Sequence, residues 1–112
     1  MLTLKDMNEL KKFIIDNKLV ILLFSATWCG PCKMLKQKII EEEEVLRGIQ
    51  IGYVDIDDEN FEELVEIYNI SSIPTLIFVG LNETKVKEIK RIEGYDWIGL
   101  KMFIDSLVKK DY

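Results

Sequence analysis

The chain has 112 residues, 48% of them hydrophobic and 31% charged, with a formal net charge of −5. That length suffices to bury one core and argues against two, so residues 1–112 read as a single domain. The negative balance argues against general nucleic-acid binding, which wants a basic face, and gives no reason to expect attraction to anionic membranes, so proteins are the expected partners.

The opening Met1-Leu2-Thr3-Leu4-Lys5-Asp6 lacks the charged lead and apolar core of a signal peptide. No run nears the roughly 18 apolar residues of a membrane span, so a cytoplasmic location is expected. Leu2 to Leu4 suit a short edge strand. Asp6 with Glu9 three residues on is a variant capping box for a helix burying Met7, Leu10, Phe13 and Ile14. Leu19 to Phe24 is a continuous apolar run of strand length, which fits a central strand covered on both faces.

Directly after it comes Trp28-Cys29-Gly30-Pro31-Cys32-Lys33, holding both cysteines of the chain and one of its two prolines. Two cysteines three positions apart close a small ring if the first opens a helix and the second lies one turn inside. The unpaired amides and positive dipole at a helix start favour a thiolate, which makes Cys29 the expected attacker and Cys32 the resolving thiol. Pro31 is tolerated in a first helical turn, and Gly30 keeps side-chain bulk away. In a reducing compartment a lone cysteine pair is more often catalytic or metal-binding than a structural staple. The pair reads as a dithiol/disulfide exchange site, which needs no cofactor.

The helix from Cys32 is expected to run to about Leu46, with Met34, Leu35, Ile39, Ile40 and Val45 as apolar positions, and Glu41 to Glu44 as a solvated face. Gly48 stops it, and Ile49 to Ile56 reads as a strand. Asp55, Asp57, Asp58 and Glu59 lack calcium-loop spacing and suit a loop and helix start. Asn60, with Glu63, is the expected cap of a helix carrying Phe61, Leu64, Val65, Ile67 and Tyr68 and ending near Asn69. Ile73-Pro74-Thr75 leads into the buried run Leu76 to Val79, after which Gly80-Leu81-Asn82-Glu83 supply turn residues. Val86, Ile89 and Ile92, spaced by three, fit neither strand alternation nor a helical face. After Gly94, Asp96 can cap a last helix with Ile98, Met102, Phe103 and Leu107 toward the core and Lys109 and Lys110 at its negative end.

The cysteine run resembles the active site of the thioredoxin family, and with Ile73-Pro74-Thr75 downstream the resemblance covers nearly the whole chain. It implies an α/β thioredoxin fold in the order β-α-β-α-β-α-β-β-α, a mixed central sheet of about four to five strands flanked by about four helices. It favours an irregular strand around Val86 to Ile92 and a cis Ile73-Pro74 bond. Trp28, Gly30, Pro31 and Lys33 would support the cysteines, while Ile73, Pro74 and Gly94 would line a groove that pairs with extended substrate backbone. The implied activity is thiol-disulfide exchange by a monomeric electron carrier that reduces protein disulfides, binds no cofactor and is recharged by a thioredoxin reductase. A redox partner dedicated to one protein, or a non-catalytic interaction or metal-bridging module, are the alternatives. A Cys/His zinc site would need a second subunit or several carboxylates, since the chain has no histidine.

Four positions depart from the family pattern. Leu23 stands where a buried aspartate usually assists proton transfer at the second cysteine, and Tyr53 where a lysine is often paired with it. Losing both together is consistent, because a buried pair can give way to apolar groups while a lone buried charge is expensive. Ser25 replaces a common tryptophan, and Gln37 a helix-kinking proline.

Overall fold

A computed structural model describes residues 1–109, so Lys110 lies outside the described residues. Five strands form one mixed sheet in the order β1-β3-β2-β4-β5: β1 Leu2–Thr3, β2 Leu19–Ser25, β3 Gln50–Asp55, β4 Thr75–Asn82 and β5 Lys85–Glu93. Strands β1 and β3, and β3 and β2, run parallel; β2 with β4 and β4 with β5 run antiparallel. Four helices cover it: α1 Met7–Asn17, α2 Gly30–Glu41, α3 Glu62–Ile67 and α4 Trp97–Lys109.

The apolar run of β2 alternates between two cores, as a strand covered on both faces must. Val20, Leu22 and Phe24 meet Leu10, Phe13 and Ile14 of α1 and Leu64 of α3, whereas Ile21 and Leu23 meet Leu35 and Ile39 of α2 and Leu100 and Ile104 of α4. Each of these β2 side chains is fully buried, contributing about 1.5–3 kcal/mol apiece. The cysteine-bearing loop therefore follows a strand buried on both faces. Asp6 caps α1 as its spacing predicts, its Oδ1 accepting the Glu9 amide at 2.9 Å.

Five boundaries differ from the sequence reading. Helix α2 ends at Glu41 rather than near Leu46, and a 3₁₀ turn, Glu43–Leu46, follows. Four successive carboxylates oppose the negative end of a helix, and the tighter turn carries Leu46 into the core. Asn60 does not cap α3: Asp58 accepts the Asn60 amide at 2.9 Å and opens a 3₁₀ turn, Glu59–Phe61, that feeds the helix. The Asn60 side chain instead donates to the Lys5 carbonyl at 3.4 Å.

Gly80, Leu81 and Asn82 belong to β4, not to a turn, because Gly80 pairs with Lys87 under the Ile89 side chain. A Cβ there would come within 2.7 Å of Ile89 Cδ1, so glycine serves the close approach. The puzzling three-residue spacing in β5 has a plain cause. Phe78 pairs with Lys90 and Val79 with Glu88, leaving Ile89 as an extra bulged residue that shifts the side-chain phase. Finally, α4 lies on the sheet through Trp97, Leu100 and Ile104, with Phe103 and Leu107 at the margin. Ile98 and Met102 face outward, 70% and 67% exposed. The helix carries two apolar stripes; the one with Trp97, Leu100 and Ile104 faces the sheet, and Phe103 packs at its margin against Phe78, ring centroids 4.7 Å apart.

Candidate functional site: a cysteine pair at a helix start

Cys29 and Cys32 form a disulfide with Cα atoms 5.2 Å apart, at the carboxyl end of β2. Cys29 is the N-cap of α2 in extended conformation, and its sulfur accepts the Cys32 amide at 3.2 Å. Gly30 and Pro31 fill the first helical turn, where proline's missing amide costs nothing. A Cβ at Gly30 would meet no atom within 4 Å beyond its immediate chain neighbours, so the position is open. When the bond opens, the same amide and the helix dipole stabilise negative charge on Cys29 Sγ.

The rim around Cys29 is assembled from distant segments. Trp28 is 66% exposed, yet its indole N–H donates to Asp57 Oδ2 at 2.7 Å, which fixes the ring beside the cysteine. Asp57 is itself set by a turn in which Asp55 Oδ1 accepts the Asp57 amide at 2.9 Å. The sequence reading assigns Asp57 to a loop and helix start. No local signal links positions 28 and 57, since the contact exists only because β3 lies beside β2.

The Ile73-Pro74 bond is cis, and the Ile73 carbonyl oxygen lies 4.0 Å from Cys29 Sγ. Ala26, both cysteines, Ile56 and Ile73 make a small apolar cluster at this point. Gly94 joins the rim through its amide, which donates to the Pro74 carbonyl at 2.7 Å, and its φ of +79° is a conformation that favours glycine. The spacing from Thr75 to Gly94 is taken up by the β4–β5 hairpin and its bulge.

Arg91 ties this rim to the sheet. Its guanidinium donates to the carbonyl of Tyr68, just after α3, at 2.7 Å, and to Glu88 on its own strand. The hydrogen bond from Arg91 holds the Glu88 carboxyl below its ordinary range.

Cys32 faces the sheet instead, and is 2% exposed. Leu23 is fully buried and registers with Tyr53 on the neighbouring strand. A cleft of about 240 Å³ opens beside the cysteine, lined by Ser25, Ala26, Thr27, Lys33, Lys36 and Tyr53. Lys33 stands on the exposed side of α2. Among the described residues no group of three or more His, Cys, Asp and Glu side chains is placed to hold a metal ion.

Thus the structure brings Trp28, Cys29, Cys32, Ile73, Pro74 and Gly94 to one end of the sheet. The glutamates of 41–44 lie on α2 and the turn after it, where Gln37 donates to Glu41 at 3.0 Å and Lys38 pairs with Glu42 at 2.5 Å. Among the described residues no helix is long and apolar enough to cross a membrane.

The family model described as Thioredoxin matches residues 2–105. Thioredoxin-1 of Drosophila melanogaster is 34% identical over 97% of this chain and 99% of its own length. Thioredoxin of Chlamydia caviae is 42% identical over 71% of this chain and 72% of its own. The solved structure of Trichomonas vaginalis thioredoxin superposes with a TM-score of 0.82 at 28% identity, covering 96% of each chain.

Proposed function

The chain belongs to the thioredoxin family, and from that premise we propose that it acts as a general protein-disulfide reductant and electron carrier, with Cys29 as nucleophile and Cys32 as resolving thiol. As a member of that family with a cysteine pair at disulfide distance, it is a thiol-disulfide oxidoreductase with protein-disulfide reductase activity.

The observation that carries the assignment of roles is the Cys32 amide directed at Cys29 Sγ across 3.2 Å at the start of α2. It lowers the cost of a thiolate on Cys29 and on no other sulfur. That thiolate attacks one sulfur of a substrate disulfide, forming a Cys29–substrate bond and expelling the other substrate sulfur as a thiolate. Cys32, as thiolate, then attacks Cys29 Sγ, forming the observed intramolecular bond and releasing the second substrate sulfur. Two electrons pass from the dithiol to the substrate.

Docking follows from the rim. The backbone at Ile73 and Pro74 can pair with an extended substrate segment, Trp28 offers a fixed apolar face, and Gly94 leaves room for the chain. Affinity drawn from main-chain hydrogen bonds makes little sequence demand, which suits a reductant of many disulfide-containing proteins. Lys33 adds a cation beside the reacting sulfurs. In this reading the chain works as a cytoplasmic monomer of one domain, holds no cofactor, and is recharged by a thioredoxin reductase.

Titration of the purified protein against defined thiol/disulfide buffers tests this reading. A reductant of this kind should have a potential below about −230 mV. A potential above about −180 mV would make it a disulfide donor or isomerase. Failure to form the intramolecular disulfide would exclude the redox role.

A further inference from the structure

The resolving step asks Cys32 to lose a proton in a place that is poor in charge. Cys32 is 2% exposed, and the side chains clustered with it, Ala26, Ile56 and Ile73, carry no charge. Among the residues lining the cleft beside it, the only cations are Lys33 and Lys36, and no carboxylate is among them. Lys33 also borders a second hollow on the outer side of α2 with Met34 and Tyr95.

Lys36 is held differently. It lies one helical turn after Cys32, on the same side of α2. Its Nζ sits 5.0 Å from the centroid of the Tyr53 ring, which forms the opposite wall of the cleft. A cation over an aromatic face gains attraction without being neutralised, so its charge remains available to a neighbour. The other charged or titratable groups around Cys32 are accounted for. Asp55 accepts the Asp57 amide, Asp57 accepts the Trp28 indole, and the Ile73-Pro74 segment brings none.

We propose that Lys36 is a positioning residue for the resolving half-reaction: its ammonium, anchored on Tyr53, favours the Cys32 thiolate, and the cleft is the route by which the Cys32 proton reaches water. The inference rests on the role of Cys32 given above. In the step, the Cys32 proton passes to water in the cleft, the Cys32 Sγ–Cys29 Sγ bond forms, and the Cys29 Sγ–substrate bond breaks. The departing substrate thiolate takes a proton from solvent, so neither net charge nor proton count is left over.

The experiment uses the reduced full chain mixed with one equivalent of dithiobis(nitrobenzoate), a chromogenic aromatic disulfide. The first thiolate released reports mixed-disulfide formation at Cys29, and the second reports resolution by Cys32. Rates are read from about pH 6 to 9 for the wild type, Lys36→Met and Lys36→Arg. Removing the charge should slow the second release about threefold on the acid side and move its profile to higher pH. Lys36→Arg should retain the wild-type profile, and about 1 M salt should shrink the difference, because Lys36 is exposed. Superimposable second phases for the wild type and Lys36→Met would overturn the inference while leaving the exchange reaction intact. Release of only one equivalent by the wild type would overturn the role of Cys32 and this inference together.

Discussion

Cys29 faces a rim of fixed polar contacts, whereas Cys32, three residues on, faces apolar side chains. Around Cys29 the Cys32 amide, the Ile73 carbonyl and the Trp28–Asp57 pair are all set by hydrogen bonds or close contact. Around Cys32 lie the apolar Ala26, Ile56 and Ile73, and polar side chains line the cleft beside it. On the roles proposed above, the contrast assigns docking and the first attack to ordered backbone, and the proton chemistry of the second cysteine to solvent and one anchored lysine.

Placing a charge on the Cys32 side should have the largest effect. Leu23 has no accessible surface, so Leu23→Asp buries a carboxylate with no cation on the neighbouring strand residue. Chemical denaturation should show a loss of about 3 kcal/mol or more, partly recovered in Leu23→Asp/Tyr53→Lys. The same carboxylate can accept the Cys32 proton, so disulfide exchange near neutral pH should quicken per folded molecule. An unchanged exchange rate would remove the kinetic part of the contrast and leave only the packing part.

The two sides also differed in how far they could be read in advance. The Cys29–Cys32 turn, its helix and the strand before it were legible because their signals are local: a cap, a proline, a glycine and an apolar run within about one βα unit. The substitutions at Leu23 and Tyr53 were legible only against a family pattern. What escaped depends on contacts across the sheet. Asp57 reaches Trp28 from the loop after the adjacent strand, Ile89 bulges over Gly80, and the sheet takes Trp97, Leu100 and Ile104 as the inward stripe of α4. Lys36 belongs with these, since nothing in a run of helix surface residues marks the one that lies over Tyr53.

A smaller effect is expected on the Cys29 side, where Arg91 anchors the end of α3 and pairs with Glu88 at 2.8 Å. The Glu88 pKa is lowered from 4.5, first by its hydrogen bond with Arg91. Because the folded value lies below the unfolded one, the pair's contribution is present above the unfolded pKa and is lost as pH falls through the folded pKa. Glu88→Gln should therefore cost less than about 1 kcal/mol near neutral pH, since both side chains are partly exposed. The unfolding curves of variant and wild type should converge on acidification. A gap that persists in acid would mean that Glu88 acts by packing and not by charge.

The most direct test of the division of labour between the two cysteines is covalent trapping. Cys29→Ser and Cys32→Ser variants are incubated with a disulfide-bonded protein substrate, and the adducts are counted by non-reducing mass spectrometry. With Cys32→Ser the account predicts a stable one-to-one mixed disulfide on Cys29, because nothing remains to resolve it. With Cys29→Ser it predicts almost no adduct, because Cys32 is buried and lacks the aligned amide. Equal adduct formation by the two variants would contradict the account.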